Sequence, residues 1–194
     1  ALNDPKSKFG LPEVTLGLLP GGGGIVRSIR LLGLQNALPL LMEGKQFGVD
    51  KAKSLGLIHE VADSTDELLK KAIAWIKANP KSQQPFDVKG YKIPGGSPST
   101  PAVVQMLAIA PAMLRDKTKG CYPAPEAIMS AAVEGAQVDV DTALTIESRY
   151  FTYLATSQIS KNMIGTFWHG LNAIKSGASR PQDIEKWKAT KVGI

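Results

Sequence analysis

The sequence holds one cysteine, Cys121, and two histidines, His59 and His169, in 194 residues. A single thiol excludes an intramolecular disulfide framework and a cysteine-rich zinc site, and makes a reducing, cytoplasmic setting the expectation. The two histidines are far apart and neither has a metal-spaced partner, so no metal site is expected. No apolar run approaches the roughly 18 residues that a membrane span needs. The N-terminus has no basic region followed by an apolar stretch, as a signal peptide would. A dominant charge of one sign is also missing: Lys and Arg number 23 against 17 for Asp and Glu, and the net charge of +6 is spread over short clusters such as Lys70-Lys71. Aromatics are 6% of the chain and do not interleave with those clusters, which argues against a nucleic-acid surface. A small anionic ligand needs only two or three such lysines. At 43% hydrophobic residues the chain has enough apolar side chains for a core and is too apolar for disorder.

Breakers and helical periodicity organise what is present. Phe9-Gly10-Leu11-Pro12 reads as turn, and Val14-Thr15-Leu16 as a brief β-prone run. After Pro20 and four glycines, Ile25, Ile29 and Leu32 mark one face of a helix that should end near Gly33. Leu34, Ala37, Leu38 and Leu41 continue the spacing, with Pro39 distorting that helix or lying in its first turn. Asp50 is a candidate N-cap for a helix closed by Gly56. Leu57 to Ala62 is the best strand candidate. Ser64 and Glu67 have capping-box spacing ahead of a helix that Asn79-Pro80 should end. Residues 80–100, rich in Pro and Gly, read as a loop. Helices are expected over about 101–116 and 124–136, and a long one over 141–176 with a bend or break at 156–161. Residues 177–181 form a second linker. Helix so outweighs strand that either the sheet lies in a part outside this sequence, or the protein is helical and the strand is misread.

Few residues can carry chemistry. Glu13 lies between Pro12 and a β-prone run, where a carboxylate beside an apolar cleft can exchange protons near neutrality. The competing reading is an ordinary exposed loop residue. Pro20-Gly21-Gly22-Gly23-Gly24 opens a helix, where glycines let a ligand approach and aim free N–H groups at an anion or carbonyl. The run can equally be a tight corner, and it is not a P-loop, because no Lys-Ser/Thr pair follows. Cys121 has no base nearby. Tyr150, Phe151, Phe167 and Trp168 are at helical spacing and read as core or interface.

Taken together, Phe9-Gly10-Leu11-Pro12-Glu13-Val14-Thr15-Leu16-Gly17 and the following Leu18-Leu19-Pro20-Gly21-Gly22-Gly23-Gly24 resemble the crotonase (enoyl-CoA hydratase/isomerase) family segment that carries its second catalytic glutamate. Arg30-Leu31-Leu32-Gly33, the stretch from Gly44 to Val61 with its Ala52, Gly56-Leu57 and Glu60-Val61, Pro123 to Ile128, and Glu147 to Phe151 follow in the family's order. Residues 157–167 and Lys191-Val192-Gly193-Ile194 further resemble the α-subunits of bacterial fatty-acid β-oxidation complexes, in which a hydratase domain precedes a 3-hydroxyacyl-CoA dehydrogenase domain. The resemblance implies the α/β crotonase β-spiral as the parent fold. This chain would be a mostly helical piece of it with one or two short strands. The absence of an initial Met fits that expectation of an internal fragment.

In the family two glutamates hold a water and add it across the 2,3 double bond of an enoyl thioester, while two backbone N–H groups form an oxyanion hole, commonly worth about 3 kcal/mol per donor. By the resemblance Glu13 is the second glutamate, and Pro20, Gly21 and Gly22 border the substrate. The first glutamate belongs to a G-G-G-x-E-like segment that occurs nowhere in this sequence, so the chain alone is expected to be inactive. The implied parent hydrates trans-2-enoyl-CoA, takes a CoA thioester as substrate, uses NAD only at its dehydrogenase domain, and meets a thiolase subunit. The implied divisions are core (1–79), loop (80–100), helical extension (101–177), linker (178–190) and the first dehydrogenase strand (191–194). The alternative is a non-catalytic helical scaffold that docks the dehydrogenase domain and the thiolase partner. A nucleotide-binding module built on the glycines is disfavoured, because an acidic magnesium ligand is missing too.

Overall fold

The structure is a computed structural model that describes residues 1–181, 183–184, 188–191 and 193. The strand expected over 191–194 depends on Val192 and Ile194, which lie outside the described residues. The chain runs as α1 (Gly24–Glu43), α2 (Val49–Ser54), α3 (Thr65–Ala78), α4 (Pro101–Thr118), α5 (Pro123–Gly135), α6 (Val140–Thr156), α7 (Gln158–Met163) and α8 (Leu171–Ser176). A π-helical segment, Ile164–Gly170, joins α7 to α8. Short 3₁₀ turns occupy Pro12–Leu16 and Pro85–Asp87.

No sheet forms among the described residues. Two isolated bridges, Leu2 with Ala62 and Phe9 with Phe47, are all the pairing present. The strand expected over Leu57 to Ala62 is therefore a correction: only residues 1–3 run beside it, joined by Asn3 N–H to the Ala62 carbonyl (2.7 Å) and Ala62 N–H to the Ala1 carbonyl (2.9 Å). A single short neighbour cannot satisfy a strand's backbone on both edges. The β-prone Val14-Thr15-Leu16 run is also corrected. Pro12 fixes the first position of a 3₁₀ turn, Thr15 Oγ1 donates to the Pro12 carbonyl (2.7 Å), and Gly17 closes the turn at φ 73°.

Helix α1 is the centre of the packing. It is two helical pieces run together across a kink: the first stops at Gly33, whose φ of 76° and ψ of 163° are non-helical, as the spacing predicts, and the second continues through Pro39 to Glu43. A Cβ at Gly33 would collide with the Pro94 carbonyl oxygen, so the kink also lets the 80–100 loop lie directly on the helix. Ile25, Ile29, Leu34, Leu38 and Leu41 of α1 are buried against Ala124, Ala127, Ile128, Ala131 and Ala132 of α5 and Leu154 of α6. The alanine-rich face of α5 lets helix backbones come close: a Cβ on Gly135 would stand 3.3 Å from that of Ala143 in α6. Burial of this apolar surface is the main stabilising term.

Other helix signals act as their chemistry dictates. Ser64 Oγ accepts from Glu67 N–H (3.2 Å) at the start of α3, while Glu67 Oε2 reaches back to Asp63 N–H (2.9 Å). At the end of α2, Gly56 (φ 75°) and Leu57 donate to the carbonyls of Lys53 and Ala52, a glycine-terminated C-cap. Asp50 is not the N-cap of α2; Gly48 is, and Asp50 lies in the first turn. The expected long last helix breaks at Ser157 (ψ 150°), whose side chain caps α7.

One acidic side chain ties distant parts of the chain together. Glu147 sits on the buried face of α6 with Ala143 and Leu154 and is 1% exposed. Its carboxylate accepts from the N–H groups of Gly23 (2.5 Å), Ile25 (3.0 Å) and Val26 (3.0 Å), the first turn of α1. The helix thus receives its N-terminal acceptor from a residue more than 120 positions away instead of from a local Ser or Asp. Burial raises the pKa of Glu147 above the usual glutamate value, and the N–H groups of Val26, Gly23 and Ile25 oppose that rise. Because the folded-state pKa is raised, this group's contribution is fully present below the usual glutamate value and declines as pH rises through the folded pKa. Glu147→Ala, which strands three buried donors, should cost about 3 kcal/mol. Glu147→Gln, which keeps one acceptor oxygen, should cost less, and denaturant midpoints of the two variants check the order.

Candidate active site

The Pro12–Leu16 turn carries Glu13 and is held from two sides. Gly44, just past α1, packs so tightly on it that a Cβ there would come within 2.7 Å of Val14 Cγ1. On the other side a Cβ at Gly17 would meet Met163 Sδ at 2.9 Å, beside Ser160. Ser160 is itself buried and donates to the Leu154 carbonyl (2.6 Å). The turn is thus wedged between the C-terminal end of α1 and α7. Glu13 is half-buried, and its Oε2 is enclosed without a hydrogen-bond partner among the described residues. An enclosed, unpaired carboxylate oxygen is costly to leave unmatched, so such atoms concentrate where a ligand or a proton transfer uses them.

Pro20 is buried, Gly21 half-buried and Gly22 exposed. A Cβ at Gly21 would stand 2.5 Å from Phe151 Cδ2, so only glycine lets this turn lie on the α6 ring, whereas Gly22 meets nothing within 4 Å. The N–H groups at the α1 terminus are not free for an external anion: Gly23, Ile25 and Val26 already donate to Glu147. This is the physical role of the glycine run that composition left open. Arg27 adds to it, with Nη1 donating to the Gly22 carbonyl (2.8 Å).

Next to Glu13, Val14 and Thr15 form one end of a groove of about 750 Å³. Its walls are Leu38 and Met42 of α1, Met106, Met113 and Leu114 of α4, Met163 at the end of α7, and Phe167 of the π-helical segment. Such an apolar, methionine-rich wall can adapt to a flexible hydrocarbon. The rim is ionic. Glu43 accepts from Lys117 Nζ (2.6 Å) and pairs with Lys45 Nζ (2.7 Å), joining the end of α1 to α4. The hydrogen bond from Lys117, then that from Lys45, lower the Glu43 pKa to about 2.

Elsewhere the chemistry-bearing residues stay isolated. His59, His169 and Cys121 are exposed. Among the described residues no three His, Cys, Asp or Glu side chains gather to hold a metal ion, and no helix is long and apolar enough to cross a membrane. Glu147 was missed by sequence reasoning as a site-building residue. A signal for it exists: it is an acid on the apolar face of α6, four residues after the buried Ala143.

Residues 1–87 match the model of the enoyl-CoA hydratase/isomerase family. The fold matches carnitinyl-CoA hydratase from Mycobacterium avium with a TM-score of 0.52 and 20% identity, covering 88% of this chain and 51% of that one. It also matches a carnitinyl-CoA dehydratase from Mycobacterium avium 104 with a TM-score of 0.51 and 21% identity, covering 87% of this chain and 52% of that one. The chain therefore spans about half the length of these structures and has the fold of the corresponding part.

The ionic rim yields a direct test. Lys117→Ala removes the largest cause of the lowered Glu43 pKa, so the carboxyl should titrate well above about 2 and closer to the ordinary glutamate value. A carboxyl-detected NMR titration of Glu43 in both proteins checks the direction. In the unmodified chain, the rim's contribution to stability is present above the ordinary glutamate value and is lost as pH falls toward about 2.

Proposed function

We propose that this chain supplies one half of a hydratase-type site that adds water to trans-2-enoyl-CoA thioesters, with Glu13 as the carboxylic acid that protonates the α-carbon. The observation that carries the reading is the enclosed, unpartnered Oε2 of Glu13. It lies within the segment that matches the hydratase/isomerase family. A carboxyl held in a partly desolvated turn can give and take a proton at a carbon acid, provided the thioester is polarised by N–H donors. The methionine-lined groove beginning at Val14 and Thr15 suits the acyl chain of such a substrate. Pro20, Gly21 and Gly22 would border the thioester.

The same reading assigns the second carboxylate, the oxyanion donors and most of the CoA cleft to a complementary half. The isolated chain is accordingly inactive in this proposal. It further places the chain in a bifunctional hydratase/3-hydroxyacyl-CoA dehydrogenase of fatty-acid β-oxidation, where NAD serves the second domain and a thiolase subunit is the partner.

A scaffold role is favoured by a separate observation. Tyr153, Ile159, Trp168, Leu171 and Ile174, on α6 through α8, are all exposed large apolar or aromatic side chains. An apolar surface of that extent on the C-terminal helices fits a docking face for a following domain or a partner subunit. The two roles are compatible, since one lies on the Glu13 turn and the other on the opposite end of the chain's course.

Crotonyl-CoA hydration tests the catalytic role. In a longer form that includes the complementary half, Glu13→Gln should lower kcat by roughly 10²–10⁴-fold with the fold retained. Unchanged turnover would remove Glu13 from the mechanism. Full activity from the 194 residues alone would contradict the two-half assignment.

A further inference from the structure

A second cavity, of about 650 Å³, lies between α1, the 86–100 loop and the start of α6, and shares no lining residue with the groove beside Glu13. It contains Arg30, which is 5% exposed. Arg30 Nη2 donates to the carbonyls of Val138 (2.9 Å) and Gly135 (3.3 Å), while Nη1 is buried with no partner among the described residues. A desolvated guanidinium N–H without an acceptor costs stability, and a ligand oxygen removes that cost.

Two further positive features face the same cavity. Lys92 lines it, and so does Thr100, the N-cap of α4. The Thr100 side chain makes no capping bond and the first turn of α4 has no acidic residue, so this 18-residue helix presents an uncapped N-terminus. Asp139 also lines the cavity, but its carboxylate is taken up as the N-cap of α6. Its Oδ1 accepts from Thr142 N–H (2.9 Å) and its Oδ2 from the Thr142 hydroxyl (2.7 Å). Asp139 makes no ion pair with Arg30 among the described residues, although its charge partly offsets the desolvation that lowers the arginine's pKa. The Arg30 backbone is tied to the opposite wall, where the Tyr91 hydroxyl donates to its carbonyl.

The geometry points to a binding site for a phosphate group, contacted by Arg30 Nη1, Lys92 and the first-turn N–H groups of α4. Donors that come from three separate elements suit a tetrahedral oxyanion better than a planar carboxylate, which a guanidinium alone would fork. The cavity is larger than a bare phosphate, and Phe86 and Tyr91 on its wall give an organic group an apolar surface. The group can therefore come from free phosphate or from a phosphomonoester, and the two sources are separable. This site is independent of the hydratase reading.

Calorimetric titrations of the full chain in chloride buffer at constant ionic strength should compare inorganic phosphate with phenyl phosphate, a phosphomonoester whose ring suits the Phe86 and Tyr91 wall. At least one should bind saturably at one site and shift the amide resonances of Ala102 and Val103. Binding of phenyl phosphate assigns a phosphomonoester; binding of phosphate alone assigns the free ion. Lys92→Ala should weaken binding several-fold, and Arg30→Gln by about tenfold or more, with circular dichroism reporting whether each variant folds. If Arg30→Gln does not fold, Lys92→Ala alone decides. Absence of saturable binding by both probes, or an unchanged Kd in Lys92→Ala, would overturn the site.

Discussion

The bond between the Glu147 carboxylate and the first turn of α1 is the constraint on which the rest of the molecule depends. It buries a carboxylate in an otherwise apolar interface, where an unmatched charge would be strongly destabilising, and it satisfies that charge with three backbone N–H groups. The glycines before α1 serve this closure. Gly21 lies flat on Phe151 and Gly23 takes φ 85°, so the chain can turn into the helix while α6 presses against the turn. Once α1 is anchored there, its kink at Gly33 and its end at Gly44 set where the Pro12–Leu16 turn can sit.

This arrangement explains how a helical chain encloses the Glu13 carboxyl with no sheet among the described residues. The Glu13 turn rests on Gly44 and Met163, which belong to segments far apart in sequence and joined through the α1–α5–α6 core. The groove beside Glu13 and the Arg30 cavity share no lining residue, although α1 contributes to both. The two sites face different chemistry: hydrocarbon with an ionic rim on one side, and a desolvated cation beside an uncapped helix on the other.

Local signals in the sequence were legible where the physics is local. The Ser64–Glu67 cap, the Asn79-Pro80 stop, the Pro-opened α4 and α5, and the break after Thr156 depend on neighbouring residues and stand where spacing puts them. Gly33 also stands as a helix stop, since its φ of 76° and ψ of 163° interrupt the run and a second helical piece follows it. Val14 to Leu16 misled as a strand because Pro12 and Gly17, not β propensity, decide the backbone there. The pattern around Glu13 singled it out as a candidate, but the enclosure of its Oε2 depends on contacts with Gly44 and α7 that no local pattern shows. The partners of Glu147 and the unpaired Nη1 of Arg30 are long-range facts that no window of sequence contains.

The central claim, that Glu147 locks the first turn of α1, is tested most directly by native-state hydrogen exchange at the amides of Gly23, Ile25 and Val26. The first-turn amides of a helix ordinarily lack intrahelical acceptors and exchange readily. Here they should exchange only with opening of the α1–α5–α6 core, as slowly as the amides at the centre of α5. Exchange of these three amides at the rate of the exposed loop residues would contradict the account.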